Sequence, residues 1–233
     1  MKILVILPTY NEQENLARLV AEIFALAITD LEILIIDDNS PDGTGQLADQ
    51  LAQRYPIKVI HRVKKLGLGT AYQAGFAYAL ANGFGIAFQM DADFSHEPQR
   101  ISDFIKGVNS GYDLVIGSRR IVGGKIVGWS AWRYFTSSSA NYFSRWLLGL
   151  KTKDATTGFR AYSVKALQAL PLGKIKSNGY AFQEETIFWA EKLKLHIKEI
   201  PIIFKDRQKG RSKLGLKVIL EFFVIIFKLI SKK

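Results

Sequence analysis

Residues 86–96, IAFQMDADFSH, constrain this chain more than any other stretch: an apolar run suited to the interior of a sheet stops abruptly at two carboxylates, Asp91 and Asp93. Side chains alternate across a strand, so residues two apart share a face, and these acids are expected to project together from the strand's carboxyl end. In open α/β sheets ligands bind outside those ends. Paired hard oxygens there suit a divalent cation that keeps some waters and takes its remaining ligands from a pyrophosphate. The alternative has Asp91 capping the following helix and Asp93 solvated.

The flanking pattern points to the architecture. Residues 3–7, 32–36, 58–60, 85–90 and 113–116 read as short, apolar, β-branched strands. Helical patterns over 12–26, 43–55 and 70–81 separate them, the first placing Leu16, Leu19, Val20 and Ile23 on one face. Strands alternating with helices predict an α/β fold with a mostly parallel central sheet covered on both faces. Beyond Gly117 the pattern changes: residues 121–150 gather Trp129, Trp132, Tyr134, Phe135, Tyr142, Phe143 and Trp146 around a serine run, and the Gly and Ser of 123–139 suggest a surface loop. A helix over 183–193 and a strand over 196–204 follow.

A chain of 233 residues with 48% hydrophobic content can bury one sizeable core. With no Cys, disulfides and thiolate metal sites are excluded, and three His make a zinc cage a poor expectation. The opening MKILVILPTY lacks the small-residue cleavage site of a secretory signal and is expected to form the first core strand. A net charge of +11 favours anionic partners without choosing among nucleic acid, acidic lipid and phosphorylated small molecules. Its distribution is more telling: Asp37, Asp38, Asp42, Asp91 and Asp93 lie in the first half, whereas 205–217, KDRQKGRSKLGLK, is densely basic. One region suits a cation and the other an anion.

The first strand ends in Pro8-Thr9-Tyr10-Asn11-Glu12 and the second in Asp37-Asp38-Asn39-Ser40-Pro41-Asp42-Gly43-Thr44, so two strand ends present polar groups to one crevice. Asp38 is placed to accept hydrogen bonds from a base or ribose, with Asp37 pointing the other way. The SPDG run is a turn leading into a helix. Gly67-Leu68-Gly69-Thr70 reads as a structural turn in preference to a phosphate clamp, although helix-start amides attract phosphate.

The ordered set LPTYNE, IIDDNSPDGT, KKLGLGTAY, MDADFSH, GSR, TGFRAY, FQEE and DRQKGRSKLG resembles glycosyltransferase family 2 over residues 1–215, and within it the dolichyl-phosphate and polyprenyl-phosphate mannosyltransferases. The resemblance implies a GT-A type, Rossmann-like nucleotide-sugar-binding domain over 1–213 and inverting transfer of mannose from GDP-mannose to dolichyl or polyprenyl phosphate. It implies a Mg²⁺ or Mn²⁺ ion held by Asp93, with Ser95 where some relatives carry Gln. Asp91, Ala92, Asp93 and Arg119 would then border the donor sugar and diphosphate, Asp91, Asp93 and Arg119 acting in catalysis. Pro8, Tyr10, Glu12, Ile36 and Asp38 fall to the nucleoside, and Arg119, Arg207 and Lys213 to the phosphates. Developing charge on a diphosphate leaving group independently calls for prepositioned cations, and Gly210 and Gly215 offer hinges for a closing loop.

Arg133, Ser137 and Asn141 fall at i, i+4 and i+8 on one helical face. By the same resemblance they hold the acceptor phosphate with Arg119. A phosphate monoester has a second pKa of about 6, so it needs little base catalysis; Glu185 is the fallback base for a hydroxyl acceptor. The tail 214–233 is nearly apolar but carries Lys217, Glu221 and Lys228 within an arc of roughly 40°. It is too short for a comfortable bilayer span, which takes ~20 apolar residues. It suits an amphipathic helix at the cytoplasmic membrane surface, packing on the chain's own core being the alternative. Competing readings keep the fold with another sugar, such as glucose from UDP-glucose, or make the chain a nucleic-acid binder. Acidic strand ends oppose the latter, so nucleic acid is not an expected partner, and a nicotinamide dehydrogenase lacks its GxGxxG.

Overall fold

Each apolar run pairs with neighbours that complete its hydrogen bonding. The computed structural model describes residues 1–179, 181–206 and 216–232, the side chains of 216–221 excepted. In chain order the elements are β1 (Ile3–Thr9), α1 (Gln13–Phe24), β2 (Leu31–Asp37), α2 (Thr44–Ala52), β3 (Ile57–His61), α3 (Leu68–Ala81), β4 (Ile86–Gln89), α4 (Ile101–Asn109), β5 (Leu114–Ser118), β6 (Lys125–Val127), α5 (Ala131–Leu148), β7 (Arg160–Ser163), α6 (Val164–Ala169), α7 (Ala181–Lys192), β8 (Ile197–Pro201), β9 (Ile203–Lys205) and α8 (Leu216–Ile230). Seven strands form one sheet in the order β3-β2-β1-β4-β7-β5-β8. Only β7 runs against its neighbours, β4 and β5. The expected mostly parallel α/β sheet is present, with helices on both faces.

The strand order explains where a ligand would sit. From β1 the chain steps outward to β2 and β3 and then returns to lay β4 on the other side of β1, so the order reverses between β1 and β4. Loops leaving adjacent strands on opposite sides of such a point diverge and leave a crevice at the carboxyl ends. Two apolar layers flank the sheet. One joins Leu4, Ile6, Leu34 and Ile36 to Tyr72, Phe76 and Phe182; the other joins Val5, Leu7, Ile33 and Ile35 to Leu16, Val20, Phe88 and Phe104. Alternate residues of β1 and β2 thus feed opposite layers, as the two-residue period requires.

Three expectations change. The Gly- and Ser-rich part of 121–150 is not a loop over its length, because Ser130 accepts a hydrogen bond from the Arg133 amide and starts α5, which ends at Gly149 in the left-handed region at φ 71°. The strand expected over 196–204 is two strands: Pro201 closes the pairing of β8 with β5, and β9 turns away to pair with β6 in a separate two-stranded sheet. The tail does form a helix, α8, yet Ile225, Ile226 and Leu229 are buried in the same layer as Leu4 and Tyr72. Its other face leaves Phe223, Val224 and Phe227 exposed. Among the described residues no helix is long and apolar enough to cross a membrane.

The start of α3 shows how tightly the loops are drawn in. A Cβ on Gly69 would lie 2.4 Å from the Ser177 carbonyl oxygen, and the Gly69 amide donates to the neighbouring Asn178 carbonyl at 2.9 Å. Gly69→Ala is therefore expected to lower stability by about 2–4 kcal/mol in urea unfolding. An unchanged midpoint would show that the loop after residue 175 is free to move aside.

Candidate active site

Backbone geometry places the two leading acids just past the strand rather than in it. β4 ends at Gln89, and Met90 continues only far enough to donate its amide to Ile6. Asp91 and Asp93 therefore project from the turn that follows β4, with the intervening Ala92 buried in the core. The expected strand alternation does not reach them. A local network fixes their positions instead: Asp91 Oδ1 accepts from the Tyr72 hydroxyl at 3.2 Å, the Asp91 amide donates to His96 Nδ1 at 3.2 Å, and Asp93 Oδ1 accepts from the Ser95 amide at 3.0 Å. Phe94 takes a positive φ of 60° inside this turn, a conformation uncommon for a bulky residue.

His96 anchors the turn. It is fully buried, stacked on Phe159 with ring centres 4.8 Å apart and met edge-on by Phe204. Burial depresses its pKa against the opposing pull of Asp91 and Asp93, so the ring is neutral at pH 7 and its Nδ1 is free to accept. Tyr72 is buried as well, and desolvation followed by the charge of Asp91 raises its pKa well above 10, which keeps the hydroxyl a donor.

Asp93 is buried at 5% exposure, and the Ser95 hydroxyl nearby in the same turn is buried with no hydrogen-bond partner among the described residues. A buried polar atom without a partner is costly. A hard cation bound by Asp93 and Ser95 would remove that cost, so the donor set fits Mg²⁺ or Mn²⁺. No three His, Asp or Glu side chains among the described residues converge on one point.

Arg119 stands at the end of β5, buried and locked. Its Nε and Nη2 form a fork with Asp154 at 2.7 Å each, its own amide donates to Asp154 Oδ2 at 2.9 Å, and Nη2 reaches Thr156 Oγ1 at 2.6 Å. Burial alone would raise the Asp154 pKa, but the guanidinium and its hydrogen bonds outweigh burial and hold it at about 2. Asp91 adds to the field that keeps Arg119 charged.

The other expected residues divide sharply. Asp38 is buried and bound within the protein: Oδ1 takes Arg62 at 2.7 Å and Oδ2 takes the Gly67 amide at 3.0 Å. Asp37 points the other way, to Thr9 and Ser40. The turn readings hold: Asp42 accepts from Thr44 at the start of α2, and the amides of Gly67 and Gly69 are spent on Asp38 and Asn178. Tyr10 has Lys65 3.8 Å above its ring, and the Glu12 amide is held by Thr44. Pro8 is half-buried, and the Ile36 side chain is fully buried in the core. Arg207 and Lys213 lie outside the described residues.

On α5, Arg133, Ser137 and Asn141 share a face, as spacing dictates, but they do not converge on an open position. Arg133 pairs with Asp206 at 2.6 Å and Ser137 accepts from Arg120 at 3.3 Å. Asn141 is buried, its amide tied to the Lys153 carbonyl and the Ala155 amide, so it holds the loop that carries Asp154. Glu185, the fallback base, is likewise structural: its Oε2 accepts from the Lys176 and Ser177 amides and the Ser177 hydroxyl.

Several site-building residues escaped the sequence reading. Asp154 had one signal, an isolated acid in the basic run KTKDATT. Arg160 lay within the TGFRAY motif but was given no role: fully buried in β7, it bonds the Ala155 and Gln183 carbonyls and Thr186 Oγ1. Gln183 and Glu184, on α7, are buried, and Gln183 Nε2 and Oε1 and Glu184 Oε2 find no partner among the described residues. A Cβ on Gly158 would lie 3.5 Å from Gln183 Nε2 and 3.6–3.7 Å from the Asp91 carboxylate oxygens, so α7 and the acidic turn both border that position.

With this geometry the relationship to known proteins is plain. Residues 4–170 match the model of "Glycosyl transferase family 2". The chain belongs to that family. It is 44% identical over 214 residues to the "Polyprenol monophosphomannose synthase" of Mycolicibacterium smegmatis, covering 91% of this chain and 80% of that one. It is 42% identical to the "Undecaprenyl-phosphate mannosyltransferase" of Micrococcus luteus, covering 92% and 88%. Its fold matches a glucosyl-3-phosphoglycerate synthase from Mycobacterium tuberculosis, solved with Mn²⁺ and UDP, at a TM-score of 0.69 and 19% identity over 99% of this chain and 79% of that one. The GT-A type expectation holds, and this family 2 protein is a glycosyltransferase.

Two measurements test the site's internal logic. Asp154→Ala leaves Arg119 buried without its counter-ion and is expected to cost about 3–5 kcal/mol, a loss read by chemical unfolding. Burial lifts the Glu184 pKa from 4.5 to about 8. The folded chain therefore keeps a proton that the unfolded chain releases, and stability declines as pH rises between those values. Glu184→Gln is expected to flatten that decline in melting temperatures taken from pH 5 to 9; an unaltered slope would place the titration elsewhere.

Proposed function

We propose that this glycosyltransferase moves mannose from GDP-mannose to a polyprenyl or dolichyl phosphate at the cytoplasmic surface of a membrane. The observation that carries the reading is the meeting of a buried acidic turn, Asp91 to Ser95, with the field of the locked cation Arg119 beside a helix, α5, that turns aromatic side chains outward. A charged donor and a lipid acceptor need those two environments side by side. Similarity to the mycobacterial and Micrococcus enzymes supports the choice of sugar and of acceptor class.

Asp93 and Ser95 would hold the divalent ion, which when bound neutralises charge developing on the departing diphosphate. The chain's own residues do the rest. Tyr72 and His96 hold the Asp91 turn still, so Asp91 keeps one position beside the donor sugar. Arg119, oriented by Asp154, offers fixed positive charge without reorganising during the reaction. An acceptor phosphate oxygen attacks the anomeric carbon as the bond to the GDP oxygen breaks, inverting the configuration. A phosphate dianion carries no proton to remove, in keeping with the structural role of Glu185.

Membrane contact falls to two helices. On α5, Trp132, Phe135, Tyr142 and Trp146 are 73%, 62%, 68% and 69% exposed, and their spacing gathers them in an arc of roughly 80°. The exposed Phe223, Val224 and Phe227 of α8 extend the patch, joined through the Phe143–Phe223 ring contact at 5.6 Å. Exposed Trp and Tyr beside an apolar face belong at the level of lipid head groups.

A radiolabelled donor panel with one short-chain polyprenyl phosphate tests the reading. GDP-mannose is expected to be used at least 100-fold better than UDP-glucose, and Asp93→Ala is expected to lower turnover by 10³-fold or more, a loss of about 4 kcal/mol of transition-state stabilisation. Equal or better use of UDP-glucose would overturn the assignment of the donor.

A further inference from the structure

The five arginines and lysines around α5 fall into two groups. Arg119 and Arg133 are each paired with a carboxylate, Asp154 and Asp206. Arg120, Arg145 and Lys153 pair with none among the described residues, and all three line one cavity of about 340 Å³ with Ser138, Asn141 and Tyr142. Among the described residues no acidic side chain lines it. Three cations facing a shared space repel one another, and burial, with Arg119, lowers the Arg120 pKa against the opposing field of Asp154. The arrangement is set in place: Arg120 Nη1 is fixed to the Ser138 hydroxyl at 2.7 Å, and the Asn141 amide holds the Lys153 carbonyl at 2.9 Å.

We propose that this cavity binds the phosphate of an anionic membrane lipid, at a site separate from the one where sugar is transferred. Its position argues for a lipid. Ser138, Asn141, Tyr142 and Arg145 occupy the arc of α5 adjoining the aromatic stripe, and Tyr142 belongs to both. When the stripe lies among head groups, the cavity opens at phosphate depth. The cavity's cations are not the two assigned to the acceptor, Arg119 and Arg133, which are paired with Asp154 and Asp206; Asn141 borders both regions, with its side-chain amide spent on the Lys153 carbonyl and the Ala155 amide. A lipid phosphate there would fix the rotation of α5 about its axis and so present the acceptor residues to the membrane. The inference rests on the membrane contact proposed above and is independent of the donor.

The experiment compares the full-length protein with an Arg145→Gln/Lys153→Gln double variant in three arms. In vesicle sedimentation, wild type is expected to bind vesicles containing 30% phosphatidylglycerol more tightly than pure phosphatidylcholine, and the double variant to lose about 10- to 30-fold of the affinity for the anionic vesicles only. In detergent free of phospholipid, with a short-chain polyprenyl phosphate, the two are expected to show the same kcat and KM. In lipid-free solution, inorganic phosphate is expected to show no saturable binding below 10 mM.

Each arm has a contrary result. Equal loss on both kinds of vesicle, no loss, or a wild type that binds neither overturns the lipid-phosphate site, the last of these also removing the membrane contact while leaving transfer measurable in detergent. A raised KM for the soluble acceptor in the double variant assigns the cavity to the acceptor itself. Saturable binding of inorganic phosphate that the double variant abolishes assigns it to a free anion.

Discussion

The buried fork between Arg119 and Asp154 holds the two halves of the molecule in one relation. Arg119 ends β5, on the far side of the sheet's single antiparallel strand, and Asp154 sits in the loop that leads into that strand. Both side chains are out of water, where an unpaired charge is far more costly than on the surface. The loop consequently cannot drift without exposing the guanidinium. Around it the rest is built: Asn141 of α5 grips the same loop on either side of Asp154, Glu199 of β8 takes the amides of Lys153 and Asp154, and Arg160 ties the segment to α7.

Seen from this pair, the site is a boundary between opposite charges held apart by backbone. On one side, the turn after β4 presents Asp91 and Asp93; on the other, β5 presents Arg119. In the proposed reaction a nucleotide diphosphate and its cation would match this alternation of charge, with Asp93 as the residue that would hold the cation and Arg119 as the one that would face the phosphates. Neutral His96 and the Tyr72 hydroxyl stiffen the acidic side without adding charge. Preorganisation of this kind removes the solvent reorganisation that would otherwise accompany bond breaking.

Much of the fold was legible because buried strands leave a compositional trace. The runs ILVIL, EILII and GIAFQM could hardly be anything else, and the acids after Met90 marked the crevice. What escaped had physical reasons. β7 reads RAYS, a fully buried arginine satisfied by carbonyls and hydroxyls, which no apolar pattern reveals. The serine run of α5 resembled a loop because the helix turns its large aromatics outward and its serines toward Arg120, the reverse of an ordinary amphipathic helix. Asn141 was legible as a face-sharing partner of Arg133, but spacing cannot say that its amide is consumed by the loop beneath it. Ile36 shows the same limit: its place two residues before Asp38 is legible, but only the structure shows its side chain packed in the core with Leu4, Ile6 and Leu34.

The central claim is that a cation held at Asp93 joins the protein to the donor's diphosphate. Calorimetric titration of GDP-mannose into the protein, with and without Mn²⁺, tests it most directly. Affinity in wild type is expected to rise at least 30-fold with Mn²⁺, and the rise is expected to vanish in Asp93→Ala, whose melting temperature serves as the control for folding. Equal affinity with and without the metal in wild type, or a metal-dependent gain that survives the loss of Asp93, would contradict the account.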